Sequence, residues 1–493
     1  MMKSFKKSLA LLVVLVIISG MAAGCTDKKQ AGSSGGPFQF SMMNVYYSTE
    51  PPKADDAVIK KIEEYTNTKM DIAWVPKSAY DDKVAVTIAS GEMPQALLVI
   101  NNGNQSIING AKSGMFWDLT PYIGEYPNLS AKLNKNVIDS IKIDGKLYGI
   151  YRTRPIARDS LIYRKDWLKK LGLSEPKTID DVYNMIKAFT LNDPDGNGAN
   201  DTIGLAEMKG IPYSVMVSSW FGAPTSWKED GTPDFMTNEF LNMLKWYKKL
   251  YSEKLINQDF GVAEEAQRQQ LFLSGKAGAK LHVWDALLRG EENDLKKLDP
   301  NAELDGVSLI EGPNGVNVRS WGGYGGVFMF SKSSVKTEAD LKKLLGYFDK
   351  LYDIPMQNLF KHGIEGVHYK VVDQKAVKIV DKVEDTTFNV MDQMYINYDD
   401  AMLSGDLTPA GVKATEMMKE SKKFVVYNPF AGLISKTNNE KGAQLQKIID
   451  DAKIKFILGS IDEAGWKSEI QKWQTNGGDK IIEEMKAAYA SRK

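Results

Sequence analysis

The chain begins with a continuous apolar run, Leu9 to Ile18, which follows three lysines. At about ten residues the run is too short to cross a bilayer, which takes roughly 20, and it is typical of the apolar region of a signal peptide. Residues 26–37 are then small and polar and are rich in Gly and Ser. This composition predicts a flexible tether rather than folded structure.

From residue 38 onward, segments with the spacing of strands and of helices alternate. Segment 38–47 is apolar and β-prone, and segment 54–66 has the spacing of an amphipathic helix. A strand, a second helix and a short buried strand are predicted at 70–75, 80–90 and 96–100. This β-α-β-α-β order is typical of a doubly wound α/β lobe.

The rest of the chain carries a similar mixture of elements and ends in helices. Thr178 and Asp181 have the spacing of a helix N-cap and the third helical residue, which predicts that a helix begins there. The other predicted strands lie at 147–151, 159–164 and 327–330. The other predicted helices lie at 238–255, 263–273, 338–352, 438–458 and 461–493. The pattern as a whole predicts an α/β protein with a helical C-terminus.

Composition narrows the class of protein. The 493 residues are 43% hydrophobic and 26% charged, which at roughly 150 residues per domain predicts two or three domains and excludes a disordered chain. Lys and Arg together number 63, as do Asp and Glu, so no positive excess points to nucleic acid as a partner. The single cysteine excludes a disulfide within the chain and a cysteine-based metal cluster.

That cysteine, Cys25, stands directly behind the apolar run and its small residues. The segment Ala22-Ala23-Gly24-Cys25 resembles a bacterial lipobox, although Ala22 stands where leucine is usual. In a lipobox the peptide is cut before the cysteine and the thiol is diacylated, and two acyl chains are enough for stable anchoring. We therefore predict that residues 1–24 are a lipoprotein signal peptide and that the protein is lipid-anchored on the extracytoplasmic face of the cell membrane. The alternative is an ordinary signal peptide with an incidental cysteine.

Five short motifs, in order along the chain, resemble those of the bacterial extracellular solute-binding proteins of family 1. The third motif is followed by Tyr151, where the family usually has proline. The five motifs in order, behind a lipobox, make the resemblance specific. They are SGEMP at Ser90–Pro94, GMFWDLTPY at Gly114–Tyr122, DGKLYGI at Asp144–Ile150, LIYRKDWL and the following LGL within Leu161–Leu173, and GIEGVHY at Gly363–Tyr369.

The resemblance implies a two-lobe, periplasmic-binding-protein-like α/β fold with hinge crossings. It also implies a monomeric binding protein, not an enzyme, that captures a sugar or oligosaccharide in the interlobe cleft and delivers it to the permease subunits of an ABC transporter. Two-lobe binders of this kind close by hinge motion. We predict a tether at 25–37, an N-terminal lobe from 38–155 and about 328–380, and a C-terminal lobe from 156–327 and about 381–493.

The sharpest local motif is the Asp- and Asn-rich loop at 192–204, NDPDGNGANDTIG. Its side chains have the spacing of an EF-hand-like loop, in which Ca²⁺ takes about six to eight oxygen ligands, although Gly204 replaces the usual bidentate Glu. Three carboxylates so close together repel one another without a cation, but a turn without metal is the alternative. In the larger oligosaccharide- and alginate-binding proteins that the chain resembles, such a loop holds a structural calcium ion. The expected Ca²⁺ ligands are Asp193, Asp195, Asn197, the Ala199 carbonyl, Asp201 and Thr202.

A sugar site needs aromatic rings for the C–H faces of the pyranose and polar side chains for its hydroxyls. Aromatic residues in irregular segments after strands are the best candidates. In proteins that the chain resembles, a tryptophan at the place of Trp284 stacks on the ligand, so we predict Trp284 as the main platform, partly exposed, beside Asp285. For each candidate, packing in the core is the competing interpretation. The predicted ligand-binding residues are Trp284, Asp285, Trp321, Tyr324, Trp220, Arg152, Tyr46 and Tyr47.

Two classes of function therefore remain for the folded part of the chain. The first is the carbohydrate-binding component of an importer, and the alternative is a secreted carbohydrate-active enzyme, a glycoside hydrolase or lyase. Carboxylate pairs for glycoside hydrolysis are not excluded, because Asp and Glu occur throughout the sequence. The sequence contains neither a Walker loop nor a dinucleotide fingerprint, and the glycine-rich segment 321–326 has the wrong spacing for a phosphate loop.

Overall fold

The computed structural model describes residues 36–288, 290–380, 383–394 and 403–492. The predicted signal peptide, Cys25 and most of the predicted tether lie outside the described residues. Within these ranges, no helix combines the length and the apolar character that crossing a membrane requires.

Strands occur between residues 38 and 426 of the described chain. In chain order they are β1 Phe38–Tyr46, β2 Thr68–Pro76, β3 Ala96–Val99, β4 Gly149–Thr153, β5 Asp159–Arg164, β6 Ile203–Ala206, β7 Ala277–Val283, β8 Leu304–Val307, β9 Glu311–Gly312, β10 Gly315–Val316, β11 Val318–Arg319, β12 Tyr324–Phe330, β13 Tyr369–Val372, β14 Lys375–Lys378, β15 Ser404–Gly405 and β16 Val425–Val426.

Helices follow most of the strands and make up the C-terminal part of the chain. They are α1 Ala57–Thr66, α2 Lys77–Ser90, α3 Gln105–Lys112, α4 Pro127–Lys132, α5 Lys135–Ile141, α6 Lys165–Lys170, α7 Ile179–Leu191, α8 Ser214–Trp220, α9 Asn238–Ser252, α10 Glu265–Leu273, α11 Asp285–Leu288, α12 Glu291–Lys296, α13 Glu338–Lys350, α14 Ile354–His362, α15 Asp385–Met394, α16 Pro409–Ser421, α17 Lys436–Ile457, α18 Glu463–Trp473 and α19 Asp479–Arg492. Short 3₁₀ turns lie at Ile123–Glu125, Asp234–Met236 and Lys422–Phe424.

The first sheet has five strands in the order β2-β1-β3-β12-β4. β1 pairs in parallel with β2 and β3, whereas β12 is antiparallel to both β3 and β4. The strand β3 is buried along its whole length, which its run of four apolar residues explains. Because β12 follows β8 in sequence but joins the first sheet, the chain returns to this sheet after building the second one.

The second sheet has four strands in the order β6-β7-β5-β8. β6 and β7 are parallel, and β5 is antiparallel to its neighbours β7 and β8. The chain passes from the first sheet to the second through residues 154–158, between β4 and β5. It returns through residues 308–323, which include β11, and β11 pairs in parallel with β16.

Each sheet has a hydrophobic core of its own. The first core contains the five-stranded sheet together with α1, α2, α13 and α15. The second contains the four-stranded sheet, α7, α9 and the C-terminal helices α17 and α18. A smaller third core lies among α10, α11, α12, β8 and α16. The bounds of the two lobes stay a prediction. Helix α15 lies within the range predicted for the C-terminal lobe, but it packs with the first core.

The start of α7 and the break between α18 and α19 can each be traced to particular residues. The predicted helix start is confirmed, because Thr178 Oγ1 accepts a hydrogen bond from the Asp181 amide at 3.1 Å and Asp181 Oδ2 accepts one from the Thr178 amide at 3.0 Å. The segment 461–493, predicted as helical, contains two helices, α18 and α19. The segment is interrupted at Gln474–Gly478, where Gly477 has φ of 140°, a conformation that favours glycine and ends regular α-helical geometry.

Candidate functional site

The two sheets meet where the crossing segments leave their strands. In the first sheet, β1 and β4 end and β12 begins at this junction; in the second sheet, β5 begins and β7 ends there. Ligands of α/β proteins bind beyond the carboxyl ends of strands. The side chains on residues 154–158 and 317–323 are therefore the ones to consider first.

Trp321 is the centre of a charged cluster at this junction. Its indole Nε1 donates a hydrogen bond to Oδ1 of Asp159 at 2.9 Å, and Nε of Arg319 donates one to Oδ2 at 3.0 Å. The guanidinium carbons of Arg158 and Arg319 each lie 4.2 Å from the centroid of the Trp321 ring, a distance typical of cation–π contacts. Burial raises the pKa of the Asp159 carboxyl, while Arg319 lowers it. We call Arg158, Asp159, Asp285, Arg319 and Trp321 the arginine–tryptophan cluster.

The remaining contacts of this cluster involve the end of β7. Nη1 of Arg158 lies 3.4 Å from Oδ2 of Asp285, and the backbone carbonyl of Arg158 accepts a hydrogen bond from the Trp284 amide at 2.9 Å. Nε of Arg158 is buried and has no hydrogen-bond partner among the described residues. Asp285 thus lies at the junction, where its ion-pair partner is Arg158.

Arg152, predicted as a ligand-binding residue, is buried, and its contact with a ligand stays a prediction. It is 3% exposed, and its guanidinium donates hydrogen bonds to the Gly325 carbonyl and to Oε1 of Gln393. Burial and the neighbouring Arg154 lower the pKa of Arg152 to about 10. The side chain ties β4 to β12 and α15, which leaves its donors occupied in this structure.

A large cavity lies beside the cluster. Its volume is about 1640 Å³, and its walls come from α3 and α5 on the first core, from residues 427–436 on the other side and from the crossing segment at 320–325. Of the predicted ligand-binding residues, Trp321 and Tyr324 line this cavity. The Tyr324 hydroxyl donates a hydrogen bond to Oδ1 of Asn102 at 3.2 Å, which joins the start of β12 to the loop that follows β3.

The predicted partial exposure of Trp284 is wrong. Its side chain is 0% exposed and packs in the third core, where a Cβ on Gly306 would lie 2.5 Å from the ring. Trp220 is likewise buried, at 1%, in the second core. Trp284 follows β7, as predicted, whereas Trp220 is the last residue of α8. Helices α11 and α16 pack in the same core as Trp284, and α9 packs in the same core as Trp220. Contact of the two rings with a ligand stays a prediction.

Tyr46 and Tyr47 lie at the end of β1, as predicted. Tyr46 is partly exposed and Tyr47 is 54% exposed, while the Tyr47 amide donates a hydrogen bond to Oδ1 of Asn389 at 2.7 Å. Neither is among the described residues that line the large cavity. The structure therefore places Trp321, Tyr324 and Asp285 at the junction. Of the other predicted rings, those of Trp284 and Trp220 are buried in cores, and those of Tyr46 and Tyr47 lie at the end of β1.

Sequence reasoning missed Arg158, Asp159 and Arg319. Three of the chain's eight arginines fall within residues 152–158, directly before a predicted strand, and this concentration was the available signal. Arg319 carried no such signal, because it is more than a hundred residues away from the segment that it contacts.

The predicted calcium loop folds as a compact turn. The carboxylate of Asp193 accepts hydrogen bonds from the amides of Gly196, Asn197 and Gly198 at about 3.0 Å, and although desolvation raises its pKa, these donors hold it below its usual value. Nδ2 of Asn197 lies 2.9 Å from Oδ2 of Asp195 and 3.1 Å from Oδ1 of Asp201. These side chains converge on one side of the loop.

Two contacts compete with a metal ion in this arrangement. Nζ of Lys276 lies 2.6 Å from Oδ2 of Asp201, and the hydroxyl of Thr202 donates a hydrogen bond to the Phe189 carbonyl at 2.7 Å. Thr202 therefore anchors the loop to α7 and does not join the other predicted ligands. No group of three or more acidic, His or Cys side chains within the described ranges is arranged so that it could hold a metal ion.

The sequence is similar to those of known bacterial proteins. Residues 47–348 match the family described as bacterial extracellular solute-binding protein. The chain is 40% identical to the polygalacturonan/rhamnogalacturonan-binding protein YtcQ of Bacillus subtilis (strain 168), over 98% of this chain and 99% of the relative. It is 35% identical to lipoprotein LipO of the same strain, over 98% of each chain.

A solved structure supports the fold. The crystal structure of the alginate-binding protein AlgQ2 without calcium ion matches with a TM-score of 0.66 and 20% identity, over 93% of this chain and 99% of that one. This likeness confirms the predicted two-lobe α/β fold with a helical C-terminus.

Proposed function

Because the chain belongs to the bacterial extracellular solute-binding proteins, we propose that it captures an oligosaccharide between its lobes and delivers it to the permease subunits of an ABC importer. The family consists of binding proteins and not of enzymes, so the alternative of a glycoside hydrolase or lyase is not retained. The observation that carries the proposal is the 40% identity over nearly the whole chain to a relative named for binding polygalacturonan and rhamnogalacturonan.

The geometry of the junction is in keeping with such a ligand. A cavity of about 1640 Å³ exceeds the roughly 300–1,000 Å³ of sites for drug-sized molecules, and therefore favours an oligomer over a single sugar. Its walls come from both cores and from a crossing segment, so closure of the lobes would change its shape. Trp321 and Tyr324 supply aromatic surface, while Asn102 and Asn136 lie close by as hydroxyl partners.

A glycan-library screen tests the function directly. Intrinsic tryptophan fluorescence is the readout, because Trp321 lines the cavity and its environment would change on binding. We expect saturable binding of oligosaccharides with no increase in reducing ends, since a binding protein does not cleave its ligand. An increase in reducing ends during incubation, or the absence of binding across the library, would contradict the proposal.

We also propose that the mature protein is held at the extracytoplasmic face of the cell membrane by lipid on Cys25. The lipobox-like segment supports this, and so does the name lipoprotein of the relative that is 35% identical. Cys25→Ser should leave ligand affinity unchanged and move the protein from the detergent phase to the aqueous phase on detergent partitioning. Equal partitioning of the variant and the unaltered protein would contradict a lipid on this residue.

The third part of the proposal is a structural calcium ion in the loop at 192–204. The donor chemistry fits, because Asp193, Asp195, Asn197 and Asp201 present oxygen atoms on one short loop, as Ca²⁺ requires. Asp193 would have to turn from the backbone amides, and Asp201 from Lys276, for the carboxylates to reach one ion. The ion would neutralise the repulsion among the three carboxylates and stabilise the loop.

A further inference from the structure

We propose that the binding site extends from the large cavity into a second cavity, where Trp227 and Asp234 bind an uncharged sugar residue of the same oligosaccharide. This inference rests on the proposed function and adds a subsite to it. It is carried by a space of about 510 Å³ whose walls include a partly exposed tryptophan and a carboxylate that no lysine or arginine of the described chain pairs with.

The second cavity adjoins the large one. Its volume of about 510 Å³ falls within the roughly 300–1,000 Å³ of sites for small ligands. Ser226, Leu433 and Ile434 line both cavities. Thr225 lines the large cavity, and Trp227, two residues further along the chain, lines the second one. The second cavity is therefore a direct continuation of the large one for a chain of sugar residues.

The walls of the second cavity come from both sides of the junction. Asn101 and Gly103 lie in the loop that follows β3, and helices α17 and α19 supply the opposite side. Asn439 of α17 lines this cavity, and its Nδ2 donates a hydrogen bond at 3.2 Å to Oε1 of Gln105, which lines the large cavity. This bond joins α17 to α3. Closure of the lobes would therefore change the shape of both cavities together.

Trp227 has the position of a stacking platform. Its side chain is partly exposed and lines the second cavity. The ring packs on Phe430 with the centroids 5.4 Å apart and the planes 30° apart, and Phe430 packs in turn on Tyr489 at 4.5 Å. This support holds the indole in place before a ligand arrives, so little side-chain freedom is lost on binding. A ring held from one side can offer its other face to the C–H groups of a pyranose.

Asp234 lies beside Trp227, because the two stand on opposite arms of one hairpin at residues 226–234. Trp227 forms a backbone bridge with Pro233, and the Ser226 carbonyl accepts a hydrogen bond from the Asp234 amide at 2.8 Å. Oδ1 of Asp234 accepts a hydrogen bond from the Phe235 amide at 2.7 Å, whereas Oδ2 accepts none from any other residue of the described chain. Sugar hydroxyls can donate to this oxygen.

Charge favours an uncharged sugar residue at this place. Lys453 also lines the second cavity, but its Nζ lies 2.8 Å from Oδ1 of Asp450, which balances its charge. Burial raises the pKa of the Asp234 carboxyl to about 6, although the Phe235 amide and Lys453 act in the opposite direction. A carboxylate on the ligand would bring a second negative charge beside Asp234, which is unfavourable. Hydroxyl groups carry no such cost.

Two series of oligosaccharides of increasing length test the inference, with calorimetry on the full chain as the measurement. In rhamnogalacturonan oligosaccharides, neutral and acidic residues alternate, whereas every residue of a homogalacturonan oligomer is acidic. We expect the affinity for the first series to rise with length until both cavities are filled. The second series should gain less from added length, because an acidic residue would have to lie beside Asp234. An equal gain in the two series would contradict an uncharged residue in the second cavity.

Variants then assign the gain to the second cavity. Trp227→Ala and Asp234→Asn should each weaken binding of the longest rhamnogalacturonan oligosaccharides by about tenfold or more. The shortest ones, which the large cavity holds alone, should bind as before. Trp227→Phe keeps an aromatic ring and should have an intermediate affinity. Should Trp227→Ala not fold because Phe430 loses its partner, Asp234→Asn, which keeps the size of the side chain, still decides the point.

Trp117→Ala and Asp230→Asn are the matched controls. Trp117 is also partly exposed but is not among the described residues that line either cavity, and Asp230 stands in the same hairpin as Asp234, where it accepts a hydrogen bond from the Thr232 amide at 2.8 Å. Their melting temperatures are measured with their affinities, and the affinities should not change. An unchanged dependence on length in both Trp227→Ala and Asp234→Asn would overturn the inference and leave the proposed function standing. Failure of every glycan in a library to bind the folded protein would overturn both.

Discussion

The indole N–H of Trp321 donates a hydrogen bond of 2.9 Å to the carboxylate of Asp159, and this bond ties a crossing segment to the second sheet. Asp159 is the first residue of β5 and is 3% exposed, while Trp321 lies on the segment that returns to the first sheet. The other carboxylate oxygen accepts a hydrogen bond from Arg319. One buried carboxylate therefore fixes two groups of the returning segment.

Asp159→Asn should lower the free energy of unfolding by about 3–5 kcal/mol, because it removes one partner of a buried ion pair and leaves the other uncompensated. Chemical denaturation measures the change. The double variant Asp159→Asn/Arg319→Gln should be more stable than the sum of the two single changes predicts, since the pair is then removed as a unit. Strict additivity of the two changes would show that the pair is not coupled.

Asp166→Asn is the control for this prediction. Asp166 pairs with Arg164 at the opposite end of β5, but Arg164 keeps a second carboxylate partner, Asp299, at 2.5 Å. The loss should therefore be smaller than that of Asp159→Asn, because Arg164 still has a carboxylate that compensates its charge. A loss as large as that of Asp159→Asn would mean that position on the strand, and not the uncompensated charge, determines the cost.

Glu207 should make the stability of the protein depend on pH. Burial raises the pKa of this carboxyl from its usual 4.5 to about 7, while the hydroxyl of Tyr247 donates a hydrogen bond to it at 2.8 Å. The folded state therefore holds the proton more tightly than the unfolded state. Stability from this group is fully present below pH 4.5 and is lost as the pH rises through about 7.

The Glu207→Gln variant isolates this contribution. The difference in unfolding free energy between the variant and the unaltered protein should change by up to about 3 kcal/mol across this pH range, in favour of the variant at higher pH. Denaturation curves at a series of pH values measure it. A difference that does not vary with pH would show that the carboxyl titrates normally in the folded protein.

Trp284→Ala should lower the free energy of unfolding by about 3–5 kcal/mol and leave oligosaccharide affinity nearly unchanged, because the ring fills a core. Gly306→Ala should also destabilise the folded protein, since the added Cβ would lie 2.5 Å from the Trp284 ring and 2.7 Å from Oγ of Ser160. In the double variant Trp284→Ala/Gly306→Ala, the smaller side chain at position 284 relieves the contact with the added Cβ. The two losses of unfolding free energy should therefore not be additive. A stable Trp284→Ala protein that has lost sugar affinity would instead support the predicted role of Trp284 as a stacking platform.

Calcium should raise the melting temperature. A ligand that binds only the folded state adds about 2.7 kcal/mol at 100-fold saturation, and EDTA should reverse the gain with little change in sugar affinity. Asp193→Asn should abolish the response. Asp230→Asn is the matched control, because Asp230 accepts a hydrogen bond from the Thr232 amide in another glycine-containing turn. If EDTA leaves the melting temperature unchanged and elemental analysis finds no metal, the proposed calcium site is contradicted.

Local sequence patterns were sufficient for much of the fold. The strands β1, β2 and β3 and the helices between them were predicted, because period and composition are properties of short segments. The start of α7 followed from Thr178 and Asp181, which cap the helix through hydrogen bonds with each other. The C-terminal helix was predicted without its interruption, because a single glycine at Gly477 does not reveal its φ angle in the sequence.

The sequence by itself thus determined the α/β class, the family motifs and the composition of the loop at 192–204. The tertiary structure decided which aromatic rings are accessible: Trp284 is buried in the third core and Trp220 in the second, whereas Trp321 borders the cavity. It also brought Arg319 to Asp159, across more than a hundred residues. The physical reason is that exposure and ion pairing depend on which distant segments pack together, and no local pattern encodes that packing.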